Sequence, residues 1–144
     1  RKAGGIPAEV TALAADVAGA LSAAAAEAGR TNAETARVAA GFDKPLPEGS
    51  AKAVSIAALP DVAPLSATGQ WIEAPAEGWQ KTGAKLLATA AVAAATYRAK
   101  LSDDEQKLAD FVVVSELGFP AYLGGPFALL DSVGSAGIRR MIGA

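Results

Sequence analysis

The sequence contains no cysteine and no histidine. The chain therefore cannot supply a thiol nucleophile, a disulfide, a thiolate or imidazole metal site, or a histidine general base. An excess of one charge is also lacking, because 13 basic and 15 acidic residues leave a formal charge of −2. Nucleic acids and anionic membrane surfaces are bound by basic patches, so we expect neither as a partner.

Aromatic residues are scarce, at 6% of the chain, whereas alanine makes up roughly a quarter of it. Alanine is the strongest helix former and a poor strand former, which argues against a β-sandwich or barrel. A length of 144 residues fits a single domain spanning 1–144. The composition and the helix signals below predict an all-α fold, a compact bundle of five to six helices.

Targeting and membrane segments are not predicted. Glu9 and Asp16 interrupt the apolar stretch that follows Arg1 and Lys2, unlike a signal peptide. The longest uncharged run of small and apolar residues, 86–97, is shorter than the roughly 20 residues that cross a bilayer. We interpret the missing initiator methionine as the mark of a piece excised from a longer cytoplasmic protein.

Residues 1–41 carry the first predicted helices. The first helix is predicted from Pro7 to about Ala28, because proline suits the first helical turn and Gly29 can supply the C-cap. A capping box at 31–34 predicts a second helix that ends near Gly41. The large apolar residues of the first helix recur at spacings of three and four, which predicts one buried stripe: Val10, Leu13, Val17 and Leu21.

Residues 42–78 form a connection rich in proline and glycine. We expect a loop with one short helix at 51–59, and a short extended piece within 62–72 is the alternative for its second half. Trp71 and Trp79 flank the end of this connection, so their burial would hold it against the helices.

Residues 79–144 contain the clearest helix signals. A long helix is predicted from 76 or 79 to Leu101, with a packing stripe of Leu86, Leu87, Ala90, Ala94 and Tyr97. A capping box at 102–105 opens the next helix, which stops at Gly118. The run 111–114 could be a strand in isolation, but the box and the spacing of Leu108, Phe111, Val112 and Ser115 favour a helix. Further helices are predicted from Pro126 and after Ser135.

Conformationally restricted residues are densest in one corner motif, GFPAYLGGPF, with an aspartate and a glycine after it. Its members are Gly118, Phe119, Pro120, Gly124, Gly125, Pro126, Phe127, Asp131 and Gly134. Glycine permits positive φ, and proline ends one helix and opens another. One interpretation is a rigid corner that serves packing. The other is a corner whose amides or glycine surface meet a ligand or a partner subunit.

This motif resembles the C-terminal helical region of 3-hydroxyacyl-CoA dehydrogenases. The similarity is greatest to the second helical repeat of the multifunctional fatty-acid β-oxidation enzymes (alpha-subunit type), in which an enoyl-CoA hydratase is fused to the dehydrogenase. The motif residues match in order and spacing, with Asp110 as the upstream acidic position. The preceding segment, 86–110, resembles the family more loosely.

The resemblance implies an oxidoreductase of lipid metabolism that uses NAD on a Rossmann domain. This chain has no GxGxxG and no histidine, so we assign it no catalytic, cofactor-binding or metal-ligating residue and expect it to be inactive alone. Its implied role is a wall of the acyl-CoA cleft and a packing surface for the Rossmann and hydratase domains of a homo-oligomer. The alternative is a stand-alone alanine-rich helical adaptor or assembly module without enzymatic activity.

Other polar clusters have simpler interpretations. The acidic run 103–105 fits the first turn of a helix better than a metal site. Ser132 and Ser135 have no base nearby for nucleophilic catalysis. Arg139 and Arg140 complement the dipole at the end of the last helix, and contact with a CoA phosphate is the alternative.

Overall fold

The computed structural model describes residues 6–29, 31, 34, 37, 38, 41, 42, 44, 52–63 and 78–142. Within these ranges the chain forms four α-helices and no strand, which confirms the all-α class. The helices are α1 (Ala8–Ala28), α2 (Gly78–Ala95), α3 (Asp103–Leu117) and α4 (Pro126–Ile142). Single 3₁₀ turns lie at Ile56–Ala58, Arg98–Lys100 and Ala121–Leu123.

The predicted count of five to six helices is not reached among the described residues. The capping box at 31–34 and its helix lie largely outside them, although Thr31, Glu34, Arg37 and Val38 are helical. The contacts predicted for Trp71 and Trp79 also lie outside the described residues.

Helix α2 forms the centre of the bundle and packs against both α1 and α4. From Ala84 to Ala95 every residue is buried except Lys85, which is half-buried. A helix that is buried on all sides needs small residues, because neighbouring helix axes can then approach closely. The alanine-rich composition is therefore concentrated where the other helices meet.

Helix α1 contributes the stripe that the sequence predicts. Val10, Leu13, Val17 and Leu21 are all fully buried in the core. Pro7 is the N-cap, one residue before the first helical turn, and Gly29 ends the helix with φ at 83°. By length and hydropathy α1 could cross a membrane, a test that the core helices of soluble proteins and signal sequences also pass.

Helix α2 is shorter than predicted, because it ends at Ala95 and not at Leu101. The Thr96 hydroxyl donates a hydrogen bond to the Ala93 carbonyl at 2.8 Å, a local bond that competes with helical pairing. Tyr97 N–H bonds the Ala94 carbonyl three residues back, and the 3₁₀ turn follows. Tyr97 and Arg98, which follow Thr96, form contacts with Asp16 and Asp131 that are described below.

Helix α3 begins and ends as predicted. The Ser102 hydroxyl accepts from Glu105 N–H, and the Glu105 carboxylate accepts from Ser102 N–H, which completes the capping box. Gly118 ends the helix in the left-handed conformation at φ 76°. Phe111 belongs to the helical spacing noted in the sequence, yet it is 68% exposed, while Val112 and Val113 are buried.

Helix α4 is interrupted at Gly134, whose φ of 73° and ψ of 171° are not helical. The sequence predicts a new helix after Ser135, and this break lies next to it. The break leaves Ser135 N–H free to donate to the Val62 carbonyl at 2.9 Å. Val62 N–H in turn donates to the Ser135 hydroxyl at 3.0 Å. These hydrogen bonds hold the segment around Val62 against α4 at Gly134.

The segment 52–63, which we call the strap, crosses the bundle in an extended form. The predicted helix at 51–59 was wrong, because only the single turn Ile56–Ala58 is helical. At its first end, Lys52 N–H donates to the Gly19 carbonyl of α1 at 2.9 Å. In its middle, Leu59 is buried in the core. The strap therefore gains its stability from contacts with the helices and not from helix formation of its own.

We predict that Ser135→Ala loosens the strap. The substitution removes the hydroxyl that accepts from Val62 N–H and keeps the backbone bond, so the free energy of unfolding should fall by about 1 kcal/mol. Ser132→Ala, a half-buried serine of the same helix, is the matched control. Limited proteolysis of both variants measures the effect, and equal cleavage within 52–63 in the two variants would contradict the assignment.

Candidate functional site

The corner motif connects α3 to α4 by a tight, fully hydrogen-bonded turn. Gly118 N–H donates to the Val114 carbonyl at 3.2 Å, which closes the end of α3. The 3₁₀ turn follows, and Gly124 N–H donates to the Ala121 carbonyl at 3.0 Å. Gly124 is left-handed at φ 83°, and Pro126 is the first residue of α4, as predicted.

A buried carboxylate from the preceding helix caps α4. The Asp110 carboxylate accepts from Phe127 N–H at 2.8 Å and from Ala128 N–H at 3.1 Å. These are the second and third amides of the helix, the groups that an N-cap side chain normally satisfies. The first helical residue is Pro126, which has no N–H, and Leu129 N–H bonds the Gly125 carbonyl. The N–H groups of the second and third residues of α4 are thus satisfied by Asp110.

The residue at the N-cap position is Gly125, which has no side chain and cannot supply a cap itself. A Cβ at Gly125 would lie 2.4 Å from the Asp110 Cβ and 2.5 Å from its carboxyl carbon. Its φ is 119°, which L side chains rarely adopt. Glycine is therefore required here for two reasons: the backbone conformation, and the space taken by the carboxylate that replaces the missing cap.

The electrostatics of Asp110 follow from its position. Its residue is 8% exposed, and burial raises the pKa of the carboxyl from 3.8 to about 6. The two amide bonds favour the ionised form and oppose this rise in pKa, as does Arg98, whereas the nearby negative charge of Asp131 adds to it. Loss of hydration outweighs the two hydrogen bonds.

The second acidic residue of the motif, Asp131, is paired with a residue from before α3. Arg98 Nη1 lies 2.7 Å from Asp131 Oδ1, although the nitrogen lacks hydrogen-bond geometry toward that oxygen. The Arg98 guanidinium also lies over the Phe127 ring, 5.8 Å from its centroid. Arg98 therefore connects the turn after α2 to the start of α4 through an ion pair and a cation–π contact.

Aromatic packing holds the outer side of the corner. Phe119 is buried and meets the Phe42 ring edge-to-face, with centroids 5.9 Å apart. The guanidinium of the buried Arg37 lies over the Phe42 ring, 5.7 Å from its centroid. Burial lowers the pKa of Arg37. Tyr122 lies against Gly41, and its side chain is 69% exposed.

The structure brings most of the predicted motif together. Residues 118–127 and Asp131 form one unit around Asp110, whereas Gly134 lies apart at the break in α4, where the strap is fastened. The acidic run 103–105 forms the first turn of α3. Among the described residues no group of three or more acidic side chains could hold a metal ion. Sequence reasoning missed Arg98 as the partner of Asp131, and no local signal could have revealed it.

A second polar cluster joins α1 to the end of α2. The Tyr97 hydroxyl donates to Asp16 Oδ2 at 2.6 Å, and Lys52 Nζ lies 3.2 Å from Asp16 Oδ1. The bond from Tyr97 lowers the pKa of Asp16, with a smaller contribution from Lys52. The same bond raises the pKa of Tyr97 to about 12. This cluster fixes the strap and the turn after α2 to α1.

A shallow cleft of about 190 Å³ lies between the end of α1 and the start of α2. Ligand pockets are usually ~300–1,000 Å³, so this cleft is too small for a CoA thioester. Its charged walls, Lys85 and Glu27, are paired at 2.6 Å. The cleft is therefore a weaker candidate site than the corner. Comparisons with protein-family models, curated proteins and solved structures find no match to this chain.

We predict that Gly125→Ala is more destabilising than Gly29→Ala. Both glycines have positive φ, but a Cβ at Gly29 would meet nothing within 4 Å. The two variants share backbone strain, so their difference measures the collision with Asp110. Overpacking of this kind costs about 2 kcal/mol. Chemical denaturation measures both, and equal free energies of unfolding would show that Asp110 has room to move.

We also predict that Tyr97→Phe lowers the free energy of unfolding by about 1 kcal/mol at neutral pH, since it removes a hydrogen bond to a carboxylate. The raised pKa of Tyr97 means that this stabilisation is complete below pH 10 and lost as the pH rises toward 12. The lowered pKa of Asp16 means that it is also lost in acid, below 3.8. A double-mutant cycle with Asp16→Asn tests this pair, and additive effects would contradict the coupling.

Proposed function

We propose that this chain is the C-terminal helical domain of an NAD-dependent 3-hydroxyacyl-CoA dehydrogenase of the fatty-acid oxidation type. In this role it supplies a wall of the acyl-CoA cleft and a surface for packing and assembly, and the reactive groups belong to another part of the enzyme. The observation that carries the proposal is the corner: the residues of the resemblance other than Gly134 lie around the start of α4, which Asp110 caps.

The hydrogen bonds and the ion pair of the corner support a structural role. Asp110 accepts hydrogen bonds from two N–H groups of α4, and Asp131 forms an ion pair with Arg98. A general base needs to reach the proton of a substrate, and both carboxylates are already held by the fold. The chain also has no histidine. Oxidation of a 3-hydroxyacyl-CoA to the 3-oxoacyl-CoA passes a hydride to NAD⁺ and releases a proton, so the acceptor of that proton would lie outside this chain.

The surface beside the corner supports an assembly role. Phe111 and Tyr122 are 68% and 69% exposed, and they lie on α3 and on the 3₁₀ turn of the corner. Aromatic residues are enriched in the cores of protein interfaces. A neighbouring domain of the parent enzyme would cover them. The same two residues also fit the second candidate function, a stand-alone helical assembly module.

The test is the reading frame that encodes the chain. We expect a dinucleotide-binding segment immediately upstream, with a strand, a GxGxxG turn and a helix, and a histidine–glutamate pair in the same polypeptide. The protein made from that frame should form NADH from NAD⁺ and a 3-hydroxyacyl-CoA, measured by absorbance. A saturated acyl-CoA, which lacks the hydroxyl group, is the control substrate.

Two results would decide against this proposal. One is an independent start codon next to Arg1 with no dinucleotide-binding segment upstream, which would favour the assembly module. The other is NADH formation by the 144-residue chain alone, because the reactive groups would then have to lie within it.

A further inference from the structure

We propose that the exposed face of α3 binds the same face of a second copy of this chain, with the two helices antiparallel across a twofold axis. The inference rests on the assembly role proposed above and deepens it, because it names the partner: the covering domain is the same helical domain of another copy. It does not use the dehydrogenase chemistry, so the reading frame decides that chemistry and the oligomeric state decides this inference.

The face is a row of four residues that we call the α3 stripe. Its members recur at spacings of four, three and four along the helix: Asp104, Leu108, Phe111 and Ser115. At 3.6 residues per turn these positions lie within about 60° of one another. The stripe is open to solvent, since Asp104 is exposed, Leu108 and Ser115 are half-buried, and Phe111 is 68% exposed. Alternating spacings of four and three are those by which two helices pack side by side in a coiled coil.

The centre of the α3 stripe is apolar. Leu108 and Phe111 are three residues apart and therefore neighbours on the helix surface. A single exposed apolar side chain is ordinary on a protein, but here an aromatic ring and an aliphatic side chain adjoin. Aromatic residues are enriched in the cores of protein interfaces. Covering this pair requires an apolar residue opposite each of its two members.

The two ends of the α3 stripe carry opposite charges. Asp104 lies at the first end and forms no ion pair with another described residue. At the last end, Lys44 Nζ donates to the Ser115 carbonyl, which holds a positive charge there. A face that is acidic at one end, apolar in the centre and basic at the other is complementary to itself when turned end for end.

One antiparallel register brings these groups together. When the twofold axis passes between residues 109 and 110, Phe111 of each copy faces Leu108 of the other. In the same register Asp104 faces Ser115 of the other copy and the Lys44 bound to it. Both pairings follow from one position of the axis, because the two members of each pair are equally far from it along α3. The symmetry repeats each contact, so two apolar pairs lie between two ion pairs.

A second copy fits the α3 stripe better than a partner with one sign of charge. An acidic partner would meet Asp104 and a basic one would meet Lys44, and like charges across an interface are unfavourable. Lys107 adds a further contact in the antiparallel register. It is exposed, and it lies beside Phe111 of the second copy, where its ammonium group can contact the face of the ring.

The oligomeric state of the full chain, measured by sedimentation equilibrium, tests the proposal. One helix face from each copy is a small interface, and interfaces below about 1,200 Å² belong to weak complexes. We therefore expect a reversible dimer with a dissociation constant between about 1 µM and about 1 mM. A chain that stays monomeric at about 1 mM, or that forms a larger oligomer, overturns the proposal.

Three substitutions test the residues and the register. Phe111→Ser should weaken the dimer at least about tenfold, because central aromatic residues carry much of the binding free energy. Asp104→Lys and Lys44→Glu should each weaken it, and the two combined should restore it, since the exchanged charges face each other again. The matched control is Glu116→Lys, an exposed acid of α3 that lies off the stripe and should leave the dimer unchanged.

Circular dichroism establishes that each variant keeps its helix content. A dimer that Phe111→Ser leaves intact overturns the proposal, and so does a combined charge variant that dimerises no better than either single one. If a variant does not fold, the amide NMR shifts of the wild-type chain decide on dilution. Shift changes centred on Leu108 and Phe111 support the antiparallel dimer, and changes centred on another element overturn it.

Discussion

The start of α4 depends on one long-range interaction: the Asp110 carboxylate accepts hydrogen bonds from two backbone N–H groups of this helix. The Asp110 side chain takes the space beside the N-cap position. The residue at that position must therefore lack a side chain, and it is Gly125. The first helical position then takes Pro126, which has no N–H that would need a partner. The corner motif is thus the set of residues that allows a helix to be capped by a different helix.

The same constraint determines the electrostatics of the corner. A carboxylate at a helix start is favoured by the helix dipole and by charge-assisted hydrogen bonds. Burial acts in the opposite direction, and here it prevails, so the pKa of Asp110 rises to about 6. Arg98 compensates this charge only in part, and its ion pair is with Asp131. The cap therefore holds α4 in place through a carboxylate whose pKa is raised by burial.

Alanine makes the rest of the architecture possible. Helix α2 is enclosed by its neighbours, and its small side chains let α1 and α4 approach closely. The strap is fastened at the break in α4, where Gly134 frees the Ser135 amide for Val62. A helix interruption thus serves as an attachment point for a segment with little secondary structure.

The sequence by itself determined where α3 begins and ends and where α4 begins. Ser102, Gly118 and Pro126 act through their own backbone and nearest neighbours, so local rules were sufficient. Only the tertiary structure decided that Phe111 faces outward and that α2 ends at Ala95, because these outcomes depend on which surfaces other helices cover. The partners of Asp110 are 17 and 18 residues away in sequence, and local spacing carries no information about which distant amides a carboxylate will meet.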